Sequence, residues 1–237
     1  MGRAFVEISV AAVGDPDAAA VSSTLVDVSL DLLATDAAGL TLGDSRPELR
    51  LAATSNPDAE ALGLLELDVG EGPGLDCYRT AEPVVVADLL TDDRWPRFTA
   101  AAAGIATVRS VHALPVHRRG LVLGVLVLLD GTPGPLSRPD LALGQAFADT
   151  AAVAILRDRE VRRVQGVAAQ LQGALDGRVA VEQAKGFVAQ HHGVDVDTAF
   201  RLLREQARAL RLQLPDIARL VVAGEVVPGG PAPSPDA

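Results

Sequence analysis

The chain has 237 residues, 49% of them hydrophobic and 22% charged, and a formal net charge of −10. That length and composition hold one large or two small domains with a true core, and the longest apolar run, 121–129 interrupted at Gly124, falls far short of the roughly 20 residues that span a bilayer. One cysteine, Cys77, excludes an internal disulfide, a dithiol redox centre and a cysteine-based zinc site, and nothing in the pattern points to a catalytic metal.

At the N-terminus an early acid, Glu7, and the lack of a long apolar core argue against a secretory signal, so the chain is expected in the cytoplasm. From 21 to 34, Val21, Leu25, Val28 and Leu32 recur at four- and three-residue steps, an amphipathic helix. Short strands at 37–42 and 49–54 flank the turn-rich Gly43-Asp44-Ser45-Arg46-Pro47 and read as a hairpin. A Gly/Pro-rich bend at 70–74 leads into a short helix containing Asp76, Cys77 and Tyr78, then a strand at 83–89 and a short helix or loop at 95–103. Strands at 110–116 and 121–129 flank His117-Arg118-Arg119-Gly120, whose length and polarity suit a tight hairpin. The residues alone thus predict a mixed sheet with helices over the first 140 positions.

The most regular segment follows. Leu143, Phe147, Thr150, Ala154, Arg157, Val161, Val164, Ala168, Leu171 and Leu175 alternate four- and three-residue steps, and eight of the ten are apolar. This is a coiled-coil seam on a helix roughly 50 Å long at about 1.5 Å per residue, more than a compact domain needs internally. The spacing predicts pairing with a second copy over about 140–175. A long helix packed on its own sheet is the alternative, because Gly166 and Gly173 weaken the helix and Arg157 interrupts the seam.

Past Leu175 the apolar face rotates. Ala174, Gly177, Val181, Ala184 and Val188 form a small-residue stripe, while Arg178, Glu182 and Lys185 continue the old seam. His191-His192-Gly193 ends this helix, Asp195 or Asp197 caps the next, and Phe200, Leu203, Ala207 and Leu210 form its apolar face. Leu214-Pro215-Asp216 starts a third helix with Ile217, Leu220 and Val221 inward, and a Pro/Gly-rich, disordered tail closes the chain.

Charge is unevenly spread. Residues 1–140 carry 10 Arg against 20 Asp+Glu, whereas 141–224 carry 11 Lys+Arg against 9 Asp+Glu. Arg201, Arg204, Arg208 and Arg211 fall at three-, four- and three-residue steps, hence on one helix face. Such a row binds successive phosphates and stacks on unpaired bases, or it is a solvated face. Glu182 can pair with Arg178 or with Lys185, the only lysine in the chain.

Residues 174–186, Ala-Leu-Asp-Gly-Arg-Val-Ala-Val-Glu-Gln-Ala-Lys-Gly, followed by Gly193-Val194-Asp195, Thr198-Ala199-Phe200-Arg201-Leu202-Leu203 and Asp216-Ile217-Ala218, closely resemble the ANTAR family of RNA-binding transcription antiterminators. The resemblance implies a three-helix domain that, paired in a dimer, binds tandem RNA hairpins and keeps a downstream terminator from forming. It carries Arg178, Gln183, Lys185, Gly186, Arg204 and Arg208 over as RNA-contacting positions, to which the arginine row adds Arg201 and Arg211. Between Arg208 and Leu214, where the family usually carries a strongly basic cluster, this chain reads Ala209-Leu210-Arg211-Leu212-Gln213, and each lost phosphate contact lowers the electrostatic contribution to binding.

Over 21–156 the motifs Gly70-Glu71-Gly72-Pro73-Gly74-Leu75-Asp76, Val86-Ala87-Asp88-Leu89, Arg94-Trp95-Pro96-Arg97-Phe98 and Ser110-Val111-His112-Ala113-Leu114-Pro115 resemble GAF domains that precede ANTAR modules in actinobacterial regulators. The fold implied is an α+β GAF domain with a central antiparallel sheet and flanking helices, a long coiled-coil linker helix, and an all-α three-helix C-terminal ANTAR module. The expected organisation is an N-terminal segment 1–20, a GAF-like sensor 21–156, an RNA-binding module 174–224 and a tail 225–237. Cys77, Asp88, Arg94, Trp95, Phe98 and His112 are candidates to line a ligand cavity. Each also has a structural reading: Asp88 a turn cap with Arg94 its ion-pair partner, Trp95 and Phe98 core, His112 a strand residue, Cys77 a small buried hydrophobe.

No phosphate-binding glycine motif of nucleotide enzymes and no Ser/His/Asp arrangement is present, and a lone cysteine does not support the chemistry of GAF-type methionine sulfoxide reductases. A phosphate-receiver domain is excluded, since it needs a lysine that the N-terminal part lacks. The expectation is a non-enzymatic, signal-responsive antiterminator, a homodimer without membrane contact whose partners are tandem RNA hairpins and a small molecule. The residues name no cofactor. A sensor acting through protein contacts, with a weak or vestigial RNA module, is the alternative.

Overall fold

The computed structural model describes residues 18–43, 49–104 and 107–228. Residues 1–17, 44–48, 105–106 and 229–237 lie outside them, and with them the expected N-terminal segment to residue 17, the turn expected at 44–47 and the tail from 229. The chain divides into two compact units, Met1–Val161 and Arg162–Ala237.

In the first unit, helix α1 (Ala18–Leu32) precedes strands β1 (Ala37–Gly43) and β2 (Leu49–Thr54), helices α2 (Pro57–Val69) and α3 (Pro73–Thr80), and the short strand β3 (Val84–Val86). A 3₁₀ turn at Leu89–Thr91, helix α4 (Pro96–Ala102), strands β4 (Ser110–Arg118) and β5 (Leu121–Asp130), and helix α5, starting at Arg138, complete it. The strands form one sheet in the order β2-β1-β5-β4-β3, and every pairing is antiparallel. The mixed sheet expected from the residues alone is therefore corrected: hydrophobic alternation shows which face a strand buries, not which way its neighbour runs.

Local chemistry explains the joints. The β4–β5 turn places Arg119 at φ 49° and Gly120 at φ 80°, the two left-handed residues of a two-residue hairpin loop. Gly124 interrupts the apolar run because a Cβ there would lie 2.1 Å from the Thr41 carbonyl on β1.

One face of the sheet packs against α1 and the start of α5, where Leu25, Leu40, Leu114, Leu126, Phe147 and Ile155 are buried together. The opposite face, with Val86, Val111 and Leu129, packs under α2 and α4 through Ala59, Leu62, Trp95 and Phe98. Each buried Val, Leu, Ile or Phe among them stabilises the fold by about 1.5–3 kcal/mol. Helix α2 has no counterpart in the pattern read from sequence. Its buried positions are Ala59, Leu62 and Glu66, so a carboxylate stands where helical periodicity calls for a third apolar residue.

Helix α5 runs from Arg138 to His192. Phe147, Ala151 and Ala154 bury themselves in the sheet core, so the first half of the predicted seam packs on its own domain. Residues 162–176 are exposed throughout, among them Val164, Leu171 and Leu175 at 53%, 63% and 59%.

The second unit packs the end of α5 against α6 (Val196–Leu210) and α7 (Leu214–Val222). Ala180, Ala184, Val188, Leu203, Ile217 and Val221 are its centre, with Val226 buried beside them. Ala174, expected in the α5 stripe, is exposed and Ala180 takes that role. At Gly177 the helices approach closely, and a Cβ there would sit a tight 3.1 Å from the Pro215 side chain. Asp195 caps α6, its carboxylate accepting from the Thr198 N–H and hydroxyl at 2.8 and 2.9 Å. Among the described residues no helix is long and apolar enough to cross a membrane.

Candidate nucleic-acid interface and ligand cavity

Helices α5 and α6 bring three of the singled-out side chains together. The Lys185 ammonium lies 5.5 Å from the Phe200 ring centroid, and the Arg204 guanidinium lies 5.9 Å from the same ring. Two cations thus lie over one half-buried ring, whose quadrupole draws both without neutralising either. Glu182, one turn before Lys185, does compete: its carboxylate oxygens accept from the ammonium at 2.8 and 3.0 Å. The Lys185 side chain is 18% exposed, so its charge is delivered to one place. At Gly186 a Cβ would meet nothing within 4 Å, which leaves the surface beside Lys185 open to an approaching backbone.

The remaining candidates spread outward. Arg201, Arg204 and Arg208 are exposed on α6, with Arg201 donating to the Thr198 hydroxyl at 2.9 Å. Arg211 is the left-handed C-cap of that helix at φ 55°, so its backbone ends the row. Arg178 and Glu182 share the Lys185 face of α5 at four- and three-residue steps. Gln183 does not: two residues from Lys185, it projects about 200° around the helix.

A separate feature lies inside the first unit. Between the sheet and α2 is a cavity of about 20 Å³ lined by Gly39, Thr41, Leu51, Ala59, Leu62, Gly63, Glu66, Pro73, Phe98, Val111, Val127 and Leu129. A cavity on that scale holds about one water. Glu66 is its one ionisable wall and is 6% exposed. Its Oε1 accepts the Gly74 and Leu75 N–H groups at 2.6 and 3.1 Å, which caps α3 from outside that helix, because the N-cap itself is Gly72. Glycines at 72 and 74 make this possible, since Cβ atoms there would come within 2.3 and 2.6 Å of the carboxylate oxygens. Burial pushes the Glu66 carboxyl up to about 7, against the pull of the two N–H groups. Glu71 does the same service for α4, accepting from the Arg97 and Phe98 N–H groups at 2.6 and 3.1 Å. The Gly-Glu-Gly-Pro-Gly stretch is thus a double capping device. Its sequence signal was the pair of glycines around Pro73, and Glu66 itself carried none.

Of the six residues considered for a pocket, Phe98 lines the cavity. Trp95 is buried beside it and donates from Nε1 to Asp76 at 2.8 Å. Asp88 caps the 3₁₀ turn through the Leu90 N–H, but its ion-pair partner is Arg109 at 2.7 Å, and that hydrogen bond holds its carboxyl below the usual range. Arg94 instead pairs with Asp92 at 2.6 Å, two residues away in the same loop. The pairing of Asp88 with Arg94 is corrected accordingly: Arg109, entering β4, reaches Asp88 first. Cys77 is fully buried with Ala113 and Val125, and burial pushes its thiol up to about 12. His112, fully buried on β4, accepts the Leu136 N–H on Nε2 at 2.9 Å; burial holds it neutral, with its pKa down to about 4.

Residues 16–156 match the model of the GAF domain, and the chain belongs to that family. Residues 169–222 match the model of the ANTAR domain. GAF domains are signal-sensing modules and ANTAR domains RNA-binding antitermination modules. Among solved structures, the first unit resembles the GAF domain of a phosphoenolpyruvate-protein phosphotransferase from Coxiella burnetii, with 21% identity, a TM-score of 0.56 and coverage of 68% of this chain and 95% of that one. The corresponding domain from Acinetobacter gives 19%, 0.54, 67% and 94%. Free methionine-R-sulfoxide reductase from Neisseria meningitidis, solved with its substrate, gives 18%, 0.53, 67% and 89%. These likenesses establish the fold. A search of curated proteins gives no match.

Proposed function

We propose that the chain is a signal-responsive, non-enzymatic transcription antiterminator of the cytoplasm, whose GAF domain senses a small molecule and whose ANTAR domain binds tandem RNA hairpins. The observation that carries this reading is the placing of the Lys185 and Arg204 cations on the Phe200 ring, across the two helices of an ANTAR domain. In this reading Lys185 and Arg204 hold loop phosphates, and Gly186 lets the RNA backbone close on α5. Arg178, Arg201, Arg208 and Arg211 extend the charged surface, and Gln183 contacts RNA from the adjoining side. Binding both hairpins takes two modules, which a homodimer supplies through the exposed Val164, Leu171 and Leu175 of α5. A signal that alters this pairing alters RNA affinity in turn.

A second reading rests on a specific observation. Glu182 already occupies Lys185, and 209–213 retains one basic residue, which suits a sensor that works through protein contacts with a vestigial RNA module. An electrophoretic shift with a two-hairpin RNA separates the readings. The antiterminator reading expects the wild type to shift the RNA, with Lys185→Ala and Arg204→Ala each weakening the shift at least fivefold. Absence of any wild-type shift, with or without cell metabolites, favours the second reading.

A further inference from the structure

The cavity under α2 holds an unmet electrostatic demand. Glu66 is a carboxylate in an otherwise apolar space, with Leu62, Phe98, Val127 and Leu129 around it and no basic side chain in its lining. Oε1 is used by two backbone N–H groups, and among the described residues no hydrogen bond goes to Oε2. Thr41 lines the same cavity and is 5% exposed. Arg79, the nearest basic influence on Glu66, is committed to Asp76 and the Gly70 carbonyl. The fold is built around this carboxylate: Cβ atoms at positions 72 and 74 would come within 2.3 and 2.6 Å of its oxygens.

Resting on the reading of the first unit as a small-molecule sensor, we propose that its ligand is a primary amine, the ammonium group set against Glu66 Oε2 and the Thr41 hydroxyl and a short hydrocarbon body against Leu62, Phe98 and Val127. An ammonium head is about the size of a water, which the present cavity of about 20 Å³ accommodates. The hydrocarbon body enters where Leu51, half-exposed on the edge strand β2, closes over Gly63; a Cβ on Gly63 would stand 2.9 Å from it. The cation supplies the missing counter-charge in a low-dielectric site, where an ion pair is strong, and so drives the Glu66 carboxyl to its ionised form. Binding at neutral pH therefore releases a proton.

The test is titration calorimetry of the full chain at pH 7 with methylammonium and propylammonium, in two buffers of different ionisation enthalpy. 1-Propanol is the neutral control, and Glu66→Gln, which can still accept both backbone N–H groups, is the variant. The expected result is saturable binding of propylammonium with net proton release, at least tenfold weaker binding of 1-propanol, and at least tenfold weaker, proton-silent binding by Glu66→Gln with a melting temperature no lower than that of wild type. Binding of 1-propanol as tight as propylammonium, an undiminished Glu66→Gln affinity, or no wild-type binding of either ammonium at 10 mM overturns the proposal. The readout is independent of RNA. A chain that binds propylammonium but no hairpin keeps the amine site and loses the antiterminator reading, and a chain that shifts hairpin RNA but takes no ammonium does the reverse.

Discussion

The Lys185 ammonium stands 5.5 Å from the Phe200 ring centroid, while its own helix offers it Glu182 at 2.8 Å. The two partners act in opposite senses: the ring orients the charge and leaves it available, and the carboxylate neutralises it. A cation–π contact at such a partly exposed site is worth about 0.5–1 kcal/mol. Phe200→Leu, which keeps an apolar body between α5 and α6, is therefore expected to weaken hairpin RNA two- to fivefold with little change in melting temperature. Glu182→Gln is expected to tighten it by a similar factor, with a steeper dependence on salt. Fluorescence anisotropy across a salt series reads both, and a Glu182→Gln variant that binds more weakly than wild type contradicts the assignment.

Glu66 and His112 pull the pH dependence of stability in opposite directions. Glu66 is raised from 4.5 to about 7, so the folded chain holds that proton more tightly than the unfolded one; its stabilising effect is complete below pH 4.5 and lost as pH rises towards 7. His112 is lowered from 6.5 to about 4, so its contribution is complete above pH 6.5 and lost as pH falls towards 4. Each displacement is worth about 3 kcal/mol by linkage, and between pH 4.5 and 6.5 the two slopes offset one another. Relative to wild type, Glu66→Gln is expected to gain stability steadily from pH 4.5 to 7, and His112→Gln to gain it as pH falls from 6.5 to 4. Urea denaturation at half-unit pH steps checks this, and differences that do not vary with pH count against both placements.

The α4 cap is remote in sequence and local in space. Glu71 accepts the Arg97 and Phe98 N–H groups, two donors with no partner inside the helix. Glu71→Ala is expected to cost about 1–2 kcal/mol in chemical denaturation, with Glu71→Gln recovering part of it. Equal stability of Glu71→Ala and wild type would remove the cap from the account.

Dimerisation rests on the exposed part of α5. Leu171 is 63% exposed in the single chain, and a charge there adds no strain within the protomer. Sedimentation velocity at micromolar concentration is expected to give a dimer for wild type and a monomer of unchanged helicity for Leu171→Glu. A wild-type monomer contradicts the pairing.

What the sequence revealed and what it hid divide along contact distance. The hairpins β1–β2 and β4–β5 were legible because strand alternation and turn residues lie within a few positions of each other, and Arg119-Gly120 announces its own turn. Sheet direction was not legible in the residue pattern, because pairing such as Ala37↔Leu129 joins residues far apart in the chain; the antiparallel sheet came with the GAF resemblance. Helix α2 escaped because Glu66 breaks its apolar stripe, and the reason for that break, two N–H groups on α3, is a tertiary fact. The seam on α5 was read as one feature, yet Phe147 and Ala154 serve the sheet core, since heptad spacing does not say which surface it meets. The arginine row was visible from spacing. The clustering of Lys185, Phe200 and Arg204 was not, because it depends on how α5 crosses α6.

The central claim, that these cations act on nascent RNA, is tested most directly by single-round transcription on a template encoding two hairpins upstream of an overlapping terminator. The account predicts that the full chain raises readthrough in a dose-dependent way and that Lys185→Ala abolishes the effect. Readthrough that is unchanged by the wild type while the protein visibly binds the transcript, or that rises equally with Lys185→Ala, would contradict it.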